Sequence, residues 1–192
     1  MKRKLILFAG VSAATAVMAV PATAGAAPTL TMPGGTPIPT GTAVTMTLGT
    51  GFTHPVKLGT AVGDATCVNI MINAQVTANS PGHVHISGTS GSTSSGCTLK
   101  GVAATVSEIN LISDDSTTSG SGTFELSLKL EVPGGITCRF TNAGEPGAFT
   151  YTVGSSTATI SPTEMFSAAC GETELSGETR LETPNGETII RE

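Results

Sequence analysis

Few residues in this chain have the capacity for chemistry, and the cysteines come first. Cys67, Cys97, Cys138 and Cys170 are an even set, which in an oxidising compartment reads as two disulfides. Three connectivities are open. The intervals are 30 and 32 residues, and each opens with Thr-Cys ahead of an apolar strand, as in Ala65-Thr-Cys-Val-Asn-Ile and Ile136-Thr-Cys-Arg-Phe-Thr. A duplicated unit of this kind favours Cys67 with Cys97 and Cys138 with Cys170. No C-x-x-C pair exists, so neither a thiol redox centre nor a zinc site is expected.

The other constellations are thinner. His83-Val84-His85 puts two imidazoles on one face of a strand, with His54 as a conceivable third ligand for zinc or copper. Alternation alone also puts both in solvent, and no acidic residue lies nearby in sequence to orient them. The run from Asp114 to Glu125 has acids at the first and twelfth places of a calcium loop, but Gly120 stands at the seventh place rather than the sixth. Neither Gly88-Thr-Ser-Gly-Ser nor Ser119-Gly-Ser-Gly matches the G-x-S-x-G elbow of hydrolases. Glu125, Glu131, Glu164 and Glu172 supply carboxylates, but alternating surface positions do not bring two of them within catalytic distance. With six Phe, one Tyr and no Trp, a ring-stacking sugar surface is thin. The sequence therefore predicts no enzyme, no cofactor, and no catalytic, cofactor-binding or metal residues.

The start of the chain gives an address. Lys2, Arg3 and Lys4 precede an apolar run from Leu5 to about Val20 and a small-residue end, the three parts of a secretory signal peptide. Cleavage is expected between Ala24 and Ala27, which makes residues 1–26 the signal. The run is shorter and more polar than the ~20 apolar residues of a membrane span. Its loss removes three of nine basic residues and none of fourteen acidic ones, leaving a formal charge of −8. Such a charge repels phosphate backbones, so no nucleic-acid partner is expected.

The body alternates. Phe124, Leu126, Leu128, Leu130 and Val132 share one face of a strand and Thr123, Glu125, Ser127, Lys129 and Glu131 the other. Val68, Ile70, Ile72, Ala74 and Val76 repeat the pattern, with Met71 on the polar side. About ten such strands are predicted, separated by turns at Ser80-Pro81-Gly82, Asp114-Asp115, Gly144 to Gly147, Ser161-Pro162 and Thr183 to Gly186, while Ser87 to Gly96 reads as an exposed loop. The charged fraction, 12%, is about half the usual, and no 3.6-residue stripe is present. These features predict an all-β chain: an immunoglobulin-like β-sandwich or Greek-key barrel with two disulfides over residues 42–192, preceded by a Pro/Gly-rich extended lead over 27–41.

The Thr-Cys strand, the Gly-Cys-Thr-Leu segment at Gly96 to Leu99, the Gly-Ile-Thr-Cys-Arg-Phe strand at Gly135 to Phe140 and the closing Ser-Gly-x-x-x-Leu hairpin resemble a set of small secreted β-rich proteins. That set includes the protein activator of alkane oxidation family. The resemblance implies an extracellular or surface-associated, non-catalytic protein, and supplies no site residues. A second similarity is to the apoproteins that hold enediyne chromophores, whose disulfides close much shorter loops. The sequence thus predicts a secreted or cell-surface protein acting by protein or surface contact, with an unknown protein or cell-surface partner. The alternative is a carrier of an apolar small molecule in a cleft between sheets.

Overall fold

The computed structural model describes residues 27–48, 56–60, 65–89, 93–99, 101–118, 120–132, 134–142 and 144–192. The expected signal peptide and His54 lie outside them. The strands are β1 (Leu30–Met32), β2 (Thr36–Pro37), β3 (Ala43–Leu48), β4 (Val56–Thr60), β5 (Ala65–Ser80), β6 (His83–Thr89), β7 (Thr93–Leu99), β8 (Val102–Thr118), β9 (Ser121–Val132), β10 (Ile136–Thr141), β11 (Gly147–Tyr151), β12 (Thr157–Ser167), β13 (Gly171–Glu182) and β14 (Ile190–Arg191). The all-β class and both disulfides agree with the sequence reading.

The pairings resolve into a simple plan. β3 and β4 run the same way, each antiparallel to β5 on one side and β13 on the other, so they are two pieces of one stave. β6 and β7 lie end to end between β5 and β8, and β10 and β11 do so between β9 and β12. β8 pairs directly with β9, and β12 with β13. The staves follow one another in chain order and the last pairs with the first, closing a single antiparallel barrel. Of the two all-β architectures expected, this is the barrel, and its connections are those of an up-and-down meander rather than a Greek key. Strand alternation cannot distinguish these, because the inward residues look the same whichever stave lies alongside.

Local signals mark where the wall bends. Ser161-Pro162, expected as a turn, lies at a register shift inside β12, where a residue lacking an amide hydrogen is tolerated. Asp114 and Asp115, also expected as a turn, belong to β8, which continues to Thr118 through a second shift. Much of the expected loop from Ser87 to Gly96 is strand, in β6 and β7. Small hydroxylated residues suit the pleat once neighbours exist on both sides. Met71 is half exposed on the outer side, in register with Thr47.

The inner face is apolar. Ile72, Val76, Val84, Ile86, Leu128, Leu130, Phe140 and Leu175 are all at or below 2% exposure. The outer face of β9 presents Glu125 and Lys129 along the strand and Glu131 near its end, where a lipid-facing band would be apolar. A three-stranded sheet, β14-β1-β2, closes one end of the barrel. It is clipped there by Asn79, whose amide mimics a peptide: Oδ1 accepts from Leu30 N at 2.8 Å, and Nδ2 donates to Leu30 O at 2.8 Å and Ile38 O at 2.7 Å. Leu30, Ile38 and Ile189 are buried beneath it.

β9 and β11 fit together through two reciprocal contacts. Phe149 lies opposite Gly122, and Phe124 opposite Gly147. A Cβ on Gly122 would stand 2.4 Å from the Phe149 ring and 2.8 Å from the Asp114 carbonyl, and one on Gly147 2.5 Å from the Phe124 ring. Gly122→Ala is therefore expected to cost about 1–3 kcal/mol through overpacking. A urea midpoint unchanged from wild type would contradict this packing.

Candidate functional site

All four cysteines pair as the spacing favours, Cys67 with Cys97 and Cys138 with Cys170. Both bonds lie at the end of the barrel away from the cap. The first joins directly opposed residues of β5 and β7, and the second ties β10 to the β12–β13 turn. They are buried and structural. Closing loops of this size contributes roughly 3 kcal/mol each, so replacing either pair by serines should lower the unfolding free energy by about that amount.

The other predicted groups remain apart. His83 and His85 lie on the outer side of β6, opposite the buried Val84 and Ile86. Thr77, at the register shift in β5, hydrogen-bonds to His85 Nδ1 and donates to His85 O at 3.2 Å, which gives that histidine a structural role. The Asp114 to Glu125 run forms the β8–β9 hairpin. Among the described residues no three His, Cys, Asp or Glu side chains converge as metal ligands. Glu131 joins Glu108, Lys129 and Arg139 in a ladder across β8, β9 and β10, with Lys129 Nζ 2.7 Å from Glu131 and Arg139 2.6 Å from Glu108. Hydrogen bonds from Arg139 and Lys129 lower the Glu108 pKa, and one from Lys129 lowers that of Glu131. Exposed pairs of this kind contribute little to stability.

Two other places carry more. On the outer wall, the chain leaves the barrel between β10 and β11 just beside the β12 register shift. Asn142 patches the gap: it is 4% exposed, its Oδ1 accepts from Leu126 N at 2.6 Å, and its Nδ2 donates to Phe124 O at 3.1 Å. Around this patch lie a groove of about 180 Å³ lined by Glu145, Glu164, Phe166 and Glu172, and another of about 310 Å³ lined by Glu145, Pro146, Pro162 and Glu164. Phe166 is 55% exposed. Glu164 stands directly opposite Glu174, and Phe166 opposite Glu172. Like charges so placed destabilise a sheet.

Inside the capped end, β14 sends Arg191 into the bore. At 1% exposure its guanidinium is 5.6 Å from the ring centres of Phe149 and Tyr151, its Nη1 donates to Ser156 O at 3.2 Å, and its Nε is 3.6 Å from the Asp115 carboxylate. Asp115 continues the inward series Ile109, Leu111, Ser113 of β8. Burial pushes its pKa up to about 6, against the pull of Arg191, with Asp114 raising and Ser113 lowering it further. Burial likewise raises Tyr151 and lowers Arg191. Beneath them, Ser113, Thr179 and Arg191 join apolar residues around a cavity of about 20 Å³, room for about one water.

The sequence reading missed this cluster. The signal was the unbroken period of two from Ile109 to Asp115. No family model, curated protein or solved structure matches this chain.

The Asp115 value fixes the sign of a pH effect. The folded carboxyl holds its proton more tightly than the unfolded one, at about 6 against 3.8, so this group's contribution to stability rises as pH falls through 6. Between pH 7 and pH 5 the gain is about 1 kcal/mol. Denaturation at the two pH values should show it in wild type and not in Asp115→Asn; lower wild-type stability at pH 5 would refute the assignment.

Proposed function

We propose that the protein is a secreted, non-enzymatic barrel that acts at the cell surface or in the surrounding matrix by contact through its outer wall. The observation that carries this reading is the division of space. Among the described residues the cavity inside the capped end holds about 20 Å³, whereas the outer wall opens grooves of about 180 and 310 Å³ around Phe166 and three glutamates. A carrier of an apolar small molecule needs an interior of at least about 300 Å³, which weighs against that alternative. The two disulfides suit an oxidising compartment. Among the described residues no helix is long and apolar enough to cross a membrane.

The chemistry of the wall selects its partner. Glu145, Glu164 and Glu172 beside an exposed aromatic ring complement a surface bearing positive charge with some apolar area. The mature charge of −8 draws such a surface in over distances of about a Debye length, ~8 Å in physiological salt. Immobilised poly-lysine is the probe. Wild type should bind it at moderate salt, Phe166→Ala should bind more weakly, and a Glu145→Gln, Glu164→Gln, Glu172→Gln triple variant should lose about tenfold or more. Equal binding by the triple variant would overturn the reading. So would a native mass carrying a small molecule of a few hundred daltons on protein from the producing culture, because that belongs to a carrier.

A further inference from the structure

The groups around Arg191 make a recognisable receptor for a flat cation. A carboxylate from β8, two aromatic faces from β11 and a backbone carbonyl from Ser156 surround one guanidinium, with the Tyr151 hydroxyl beside them. Four separate parts of the fold contribute, counting β14, which supplies the guanidinium itself. Guanidinium binds carboxylates best through two parallel hydrogen bonds and stacks on aromatic faces.

The protein's own cation fills this receptor imperfectly. Arg191 Nε approaches Asp115 to 3.6 Å, an ion-pair distance longer than a hydrogen bond. Both Asp115 carboxylate oxygens, the Tyr151 hydroxyl and Arg191 Nε are buried without a hydrogen-bond partner. The receptor thus holds donor and acceptor capacity that Arg191 leaves unused. The raised Asp115 pKa agrees, since the ion pair does not offset the burial of the carboxylate.

Arg191 also belongs to a small, separately held element. β14 pairs with β1 over Leu30–Arg191 and Thr31–Ile190, and its backbone bonds to Ser155 and Gly154 at 3.0 and 2.8 Å. The cap is a sheet of two- and three-residue strands, whereas the barrel strands around it run to 17 residues. Local opening favours such an element over the barrel wall.

We propose that the Asp115–Phe149–Tyr151–Ser156 cluster is a guanidinium-binding site that Arg191 occupies as an internal stand-in, and that lifting the cap admits a guanidinium group from outside. The incoming group comes either from a small molecule or from an arginine at the end of an extended partner strand that replaces β14. No bond is made or broken; one cation exchanges for another at the same carboxylate. The site lies inside the capped end, uses none of the outer-wall glutamates, and stands or falls separately from the contact surface.

Hydrogen exchange of the cap amides in wild-type protein tests this. About 20 mM methylguanidinium, compared with equal methylammonium, should speed exchange in β1 and β14 about tenfold if the opened site binds with a Kd of about 2 mM. Acceleration by methylguanidinium assigns the small-molecule source. Acceleration only by an acetylated Thr-Ile-Ile-Arg-Glu peptide assigns a partner strand. No acceleration by either overturns the proposal. In Arg191→Met, methylguanidinium should raise Tm, and in the Arg191→Met, Asp115→Asn double variant it should not. Equal responses in the two to whichever probe accelerated exchange in wild type also overturn it, and if Arg191→Met does not fold, the wild-type exchange experiment decides alone.

Discussion

Everything in this structure depends on β13 finding β3 and β4. Thr179 lies opposite Leu48 and Ser176 opposite Lys57 across this seam, although some 120 to 130 residues separate the partners along the chain. Once they pair, none of the described barrel strands is left as an edge whose backbone groups would template another chain. Closure also sets the circumference. Eight staves give a bore just wide enough for side chains to fill, and the inner faces fill it with Leu, Ile, Phe, Met and Val.

The capped end is where the apolar logic is suspended. Taking a carboxylate and a guanidinium out of water costs several kcal/mol per ion, and attraction at 3.6 Å recovers that only with good hydrogen-bond geometry. Here the geometry is loose, and the balance shows in the Asp115 carboxyl, held near 6. The aromatic faces of Phe149 and Tyr151 offset part of the cost on the cationic side. Phe149 serves twice, since the same ring lies over Gly122 and helps fasten β11 to β9.

Much of this was legible in the residues. The period of two in Thr123 to Val132 appears as a strand with alternating burial, and the repeat around Thr66-Cys67 and Thr137-Cys138 favoured, among three open connectivities, the disulfide pairing that forms. Closure was not legible, because pairing between distant strands leaves no mark in the pattern of either one. Asp115 was hidden by its own type: two consecutive acids are a strong turn signal, and only the partner supplied by β14 makes an inward carboxylate tolerable. Asn142 and Asn79 were hidden for a related reason. Each side chain stands in for a missing peptide group, a role that composition and periodicity do not register.

The placing of the disulfides bears on how the molecule is assembled. Cys67 and Cys97 join neighbouring staves, and Cys138 and Cys170 join another neighbouring set, so neither covalent link crosses the seam between β13 and the first stave. Two oxidised half-walls are therefore compatible with an unclosed cylinder. The disulfides do not require closure, and the pairing of first and last staves spans the greater distance along the chain, the kind of contact that in general forms slowly. A chain of this design can be fully oxidised while its first and last staves have yet to meet.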